Sequence, residues 1–131
     1  MCEIEIINTL RNAFTDDNIK RQVLEPCWYQ FNITWGIHST GFCFAASEVL
    51  YRLTGENQIW MVKRLIDPTN WNNGTHYFLM RRKDNQIIDL TSDQYTERGI
   101  EIPYQHGRGC GLRNVSNKAR LLARLSGLGE L

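Results

Sequence analysis

From Ser39 to Gly55 the chain reads STGFCFAASEVLYRLTG, in which Ala46, Val49, Leu50 and Leu53 recur at the spacing of one helix face. Ser39 or Thr40 offers a capping oxygen at its start, and Gly55 supplies a left-handed stop. A helix with one apolar stripe has to bury it, and the residues that follow provide the surface. IWMVKRLI at 59–66 reads as a strand, Pro68 and the polar TNWNNG as a loop, and HYFLMRR and NQIIDL as two strands joined across a charged turn.

The flanking segments are helical. Ile4, Ile7, Leu10 and Phe14 are spaced for a first helix, and TDDN at 15–18 holds cap candidates for a second, running through Leu24 and ended by Pro26. Ser116 is placed to cap a last helix with Ala119, Leu122 and Leu125 turned inward. Residues 27–40, CWYQFNITWGIHST, follow neither period and are expected to form an ordered connector, while SDQYTERG reads as irregular chain or a short helical turn. Helices first, then mainly antiparallel strands, then a closing helix describe an α+β fold rather than a doubly wound sheet. With 131 residues, 42% of them hydrophobic, residues 1–131 are expected to share one core as a single domain.

Charge names no partner. Fifteen basic and 14 acidic residues leave a formal charge of +1, which provides no global field for nucleic acid or an anionic membrane. The one local excess, Arg108, Arg113, Lys118, Arg120 and Arg124 against Glu130, reads as a solvated helix face. No apolar run approaches the ~18 residues of a membrane span, and the acidic opening MCEIEIINTLRN does not look like an export signal, so a soluble, cytoplasmic protein is expected. In that setting Cys2, Cys27, Cys43 and Cys110 are expected as reduced thiols, and the sequons at Asn32, Asn73 and Asn114 as chance matches.

Three residues form a chemical series in the order cysteine, histidine, aspartate. Cys43 stands at the start of a helix, where unpaired N–H groups and the macrodipole stabilise a thiolate; its bland alternative is a small core filler. His76 opens a strand on the face shared by Phe78 and Met80. A turn centred on Arg82–Lys83 sets Asp89 directly opposite His76, and one centred on Lys83–Asp84 makes the two diagonal neighbours on one face. Either register lets a carboxylate orient the imidazole that serves a thiol. Between Ile88 and Leu90, Asp89 needs such a partner or, alternatively, caps the turn at Thr91 or Ser92.

The stretch GFCFAASEVLYRLTG…THYFLMRRKDNQIIDLT resembles the core of transglutaminase-like proteins over about residues 39–95, through Gly41, Cys43, Ala46, His76, Asp89 and Thr91. Tyr77–Phe78 replaces the more usual Ala–Trp, and Leu90 stands where the family often has proline. The resemblance implies a papain-like architecture, a nucleophile helix packed on an antiparallel sheet, with Cys43 as nucleophile, His76 as base and Asp89 as orienting group. It implies glutamine transamidation, deamidation or peptide hydrolysis on a protein or peptide substrate; the family also contains inactive members, so a non-catalytic binding protein is the alternative.

The Cys43 N–H is one expected oxyanion donor, and Gln30, Asn32, Trp35 and His38 are side-chain candidates for a second, with Trp35 and His38 preferred. No cofactor is implied, and no acidic loop resembles a calcium site. A zinc site drawn from Cys27, His38, Cys43, His106 and Cys110 lacks a Cys-x2-Cys nucleus and would consume the nucleophile, so no metal is expected. HGRGCG lacks the ending of a phosphate-binding loop and reads as glycine-rich chain running close to other backbone.

Overall fold

A computed structural model describes residues 1–66 and 75–131. The loop expected at TNWNNG and the sequon at Asn73 lie outside those residues. The described chain is α+β: helices α1 (Glu3–Ala13), α2 (Asp17–Val23), α3 (Pro26–Trp35) and α4 (Cys43–Leu53) come first, and strands β1 (Trp60–Ile66), β2 (Thr75–Arg81) and β3 (Ile87–Ile88) follow. Short α5 (Asp93–Thr96), two-residue β4 (Arg108–Gly109) and α6 (Asn117–Leu125) complete it. The sheet has the order β3-β2-β1-β4, with each described pair antiparallel.

The caps explain where the outer helices start. The Asp16 carboxylate accepts from the Ile19 N–H at 3.1 Å, and the Ser116 hydroxyl oxygen accepts from the Ala119 N–H at 3.1 Å. In α1 the buried stripe is Ile6, Leu10 and Ala13, continued by Phe14; Ile4, expected inside, is 68% exposed. α4 begins at Cys43 with Phe42 as its N-cap residue, later than an N-cap at Ser39 or Thr40 would place it. A serine and a threonine compete for hydrogen bonds off the helix, and here Ser39 reaches Asp93 instead.

The segment 27–40, expected as a connector, is largely helix. α3 starts with Pro26 in its first turn and stops at Gly36, whose φ of +67° is the left-handed cap. Trp28, Phe31 and Trp35 share one face, with Phe31 stacked on Trp35 at 4.8 Å between ring centroids.

The sheet has helices on one face. Trp60 and Val62 from β1 and Leu79 from β2 bury against Ile6, Leu10, Ala46, Leu50, Leu122 and Phe42, which stacks on Phe14 at 4.6 Å. The other face carries a smaller core of Leu65, Phe78, Tyr95 and Ile102, closed by Tyr104. In the HGRGCG run a Cβ at Gly107 would sit 2.7 Å from the Phe78 ring, whereas Gly109 and Gly111 have nothing within 4 Å of theirs.

β3 stops after two residues, and its pairing reaches no further along β2 than Leu79↔Ile88. Alongside the rest of β2 runs α4. Its Cys43 thiol approaches the Thr75 carbonyl at 3.6 Å, and one turn on, the Ser47 hydroxyl donates to the Tyr77 carbonyl at 3.4 Å. A four-residue step along a helix rises ~6 Å and a two-residue step along a strand ~6.6 Å, so the two elements stay in step. This match brings the first residue of α4 to the first residues of β2.

Candidate active site

The register Leu79↔Ile88 and Met80↔Ile87 centres the hairpin turn on Lys83–Asp84. Asn85 makes the turn possible with φ of +60°, a conformation asparagine tolerates. Asp89 is thereby the diagonal neighbour of His76, the second of the two registers open from sequence. Asp89 Oδ2 lies 2.7 Å from His76 Nε2, and the two side chains are 4% and 0% exposed. A buried carboxylate needs further donors, and it has them: the Tyr104 hydroxyl donates to Oδ2 at 2.8 Å and the Thr91 N–H to Oδ1 at 3.1 Å. Capping the turn and pairing with histidine, posed as alternatives by the sequence, are both done by this one carboxylate.

His76 Nε2 is committed to Asp89 and Nδ1 faces the Gln94 amide at 3.1 Å, while the Cys43 thiol, which also acts on the ring, reaches the Thr75 carbonyl at 3.6 Å. Burial pulls the imidazole toward its neutral form, but hydrogen bonds to Asp89 and to Cys43, with the charges of both, outweigh it and raise His76 from 6.5 to about 9. Burial and the adjoining Asp89 carboxylate push the Tyr104 phenol far above its ordinary value, which keeps it a donor.

Two residues that the sequence reading passed over hold this arrangement together. Gln94, buried on α5, places Nε2 3.1 Å from His76 Nδ1 and 3.2 Å from Thr91 Oγ1, while its Oε1 accepts from the Gly41 N–H at 3.2 Å. It thus ties the base to the loop that delivers the thiol. The preceding residue, Asp93, takes a bidentate Arg11 at 3.0 and 3.2 Å and the Ser39 hydroxyl. Burial acts to raise Asp93, yet those partners hold it below the usual carboxylate value. Tyr95 then packs its ring edge on His76 at 4.7 Å. Gly41 itself has φ of +89°, and a Cβ there would sit 2.9 Å from Leu24 and 3.0 Å from Trp28, so the approach to Cys43 demands glycine on two counts.

The Gln94 amide N–H donates to Nδ1, which fits a neutral imidazole. A protonated ring has an N–H there and needs the amide oxygen instead, at the expense of the Gly41 contact. Protonation of His76 is therefore coupled to a turn of the Gln94 amide.

At the start of α4 no side chain caps the helix, and the Ala46 N–H is the first to reach back, to the Phe42 carbonyl at 2.9 Å. The N–H groups of Cys43, Phe44 and Ala45 precede that bond and form a donor set beside the thiol. Three of the four side-chain donors expected there have other partners. His38 Nδ1 meets the Lys20 ammonium at 2.8 Å, and its side chain lines a recess with Arg11, Asp93 and Glu97. Trp35 carries the Arg98 guanidinium 4.1 Å above its ring. Asn32 donates to the carbonyls of His38 and Thr40, both at 3.0 Å, and Gln30 is exposed.

The four cysteines are free thiols; Cys2 and Cys27 are exposed, Cys43 and Cys110 partly buried. Among the described residues no group of three histidine, cysteine, aspartate or glutamate side chains could hold a metal ion, and no helix is long and apolar enough to cross a membrane. Comparison with protein-family models, with curated proteins and with solved structures returned no match.

Proposed function

We propose that this protein is a small cysteine hydrolase or acyltransferase of transglutaminase-like, papain-like architecture, acting on a carboxamide, peptide or thioester carbonyl. The observation that carries the reading is a buried imidazole paired with a fully hydrogen-bonded carboxylate, with the thiol of an uncapped helix start lying at the same end of β2. A plain core histidine has no use for both partners.

The chemistry follows from the positions. With the proton already on His76, the Cys43 sulfur attacks the carbonyl carbon; the oxyanion develops next to the first N–H groups of α4, those of Cys43, Phe44 and Ala45. His76 returns the proton to the departing amine or thiol, leaving an acyl group on Cys43 Sγ. Water or an amine, relieved of a proton by His76, then attacks the acyl carbon and restores the thiol. Asp89 keeps Nε2 protonated and the ring aligned throughout, and Tyr104 and Thr91 hold the Asp89 carboxylate in place.

An activated ester tests the first half of this cycle without knowledge of the natural substrate. Incubation with a p-nitrophenyl ester is expected to release one equivalent of nitrophenolate in a burst and to add one acyl mass to the peptide containing Cys43. Cys43→Ala is expected to show neither. Acylation spread over Cys2 and Cys27 but sparing Cys43 favours a protein that keeps this architecture for binding alone.

A further inference from the structure

Across the β1–β4 ladder Arg64 stands directly opposite Arg108, although like charges in that relation repel. Both are exposed, and among the described residues neither is ion-paired with a carboxylate. They line, with His106, Ile66 and Thr75, an open groove of about 500 Å³. Thr75 links this groove to the thiol, because its carbonyl is the one 3.6 Å from Cys43 Sγ. Arg64 also lies directly opposite Tyr77, whose ring meets Phe44 of α4 edge-on at 4.8 Å. Burial raises the Tyr77 phenol, Cys110 and Cys43 add to that, and Arg64 opposes it, so cysteine and guanidinium act on one ring.

We propose that Arg64 and Arg108 form a subsite for an acidic side chain of a peptide substrate, placed about two to three residues from the carbonyl that Cys43 attacks. The inference rests on the acyl-transfer reading above and adds the substrate class. Strands lie ~4.8 Å apart, so Arg64 is one spacing and Arg108 two spacings from β2, beside which Cys43 sits. An extended substrate advances ~3.3 Å per residue and covers that ~10 Å in about three. One carboxylate between two guanidiniums removes the repulsion built into the ladder and gains charge-assisted hydrogen bonds.

The test uses thiol-directed peptides on the whole protein: N-iodoacetyl-Gly-Gly-Glu-amide, its Gln-amide counterpart, and the Gln peptide with a free C-terminal carboxylate. Each alkylation rate at Cys43 is divided by the same protein's rate with iodoacetamide. The Glu-amide is expected to react about tenfold faster than the Gln-amide in low salt, with the advantage shrinking as salt rises. Arg64→Gln with Arg108→Gln is expected to erase it. Equal rates for Glu and Gln, or a preference that survives the double substitution, overturn the subsite while leaving Cys43 as nucleophile. A preference confined to the free C-terminal carboxylate overturns an acidic side chain as the occupant. A Cys43 inert to all three peptides and to iodoacetamide removes the acyl-transfer reading and this inference together.

Discussion

Replacing His76 by alanine is expected to slow acylation of Cys43 by roughly 10²–10⁴-fold, the range over which a positioned acid–base group acts. The thiol loses its proton acceptor, and the leaving group loses its proton donor. The double variant Cys43→Ala/His76→Ala is expected to be no worse than Cys43→Ala, because members of one catalytic unit do not add. Asp89→Asn is expected to be milder but still large. An amide there retains a contact with Nε2 but withdraws the charge that helps hold His76 near 9. Single-turnover acylation measured by stopped flow gives these rates directly. Removing His76 also strands the buried Asp89, left with Tyr104 and Thr91 as its donors. His76→Gln is the control for folding, since its amide can still donate to the carboxylate. A His76→Gln variant that folds and acylates at the parent rate contradicts the assignment of the base.

Stability is expected to fall as pH rises through the alkaline range, opposite to what acid-sensitive carboxylates produce. His76 has a folded value of about 9 against an ordinary 6.5, so the folded state holds its proton more tightly. That contribution is fully present below about pH 6.5 and is lost as pH climbs through 9. It amounts to something on the order of 3 kcal/mol, a large part of the total for a domain of this size. Thermal unfolding followed from pH 6 to 10 is expected to show the drop, and His76→Gln to flatten it. Asp93 works in the other direction. Its lowered value means that its share of stability is present above about 3.8 and is lost on acidification, when the Arg11 and Ser39 contacts let go. A parent protein whose melting temperature is level between pH 6.5 and 9 rules out the charged pairing of His76 and Asp89.

Periodicity made the outer frame readable. The stripe of α4, the alternation in β1 and β2 and the cap at Ser116 are all local, and each survives in the structure because burial and caps act on neighbouring residues. α3 was hidden because Pro26 was read as the end of one helix when it is also the first turn of the next. Its Pro26 and Gly36 bracket was the signal. The His76–Asp89 pairing was visible because strand alternation limits a hairpin to two registers that share a face. Gln94 and Tyr104 were not visible. They act across 18 and 15 residues, from short α5 and the chain beyond it, where no period predicts which side chain turns toward His76 or Asp89. Trp35 and His38 show the same limit: nearness in sequence to Cys43 did not reveal the Arg98 guanidinium over the Trp35 ring or the Lys20 ammonium at His38 Nδ1.

The central claim is that His76 activates Cys43, and the protein carries its own references for testing it. Cys2 and Cys27 are exposed, whereas Cys43 is partly buried. If access alone set the rates, Cys43 would react more slowly than either. Limited labelling with iodoacetamide near neutral pH, mapped by mass spectrometry, is expected to find Cys43 modified first and Cys27 at the pace of an ordinary thiol. In His76→Gln, Cys43 is expected to fall behind Cys27. A Cys43 that reacts no faster than Cys27 in the parent protein, or that keeps its lead without His76, contradicts the account.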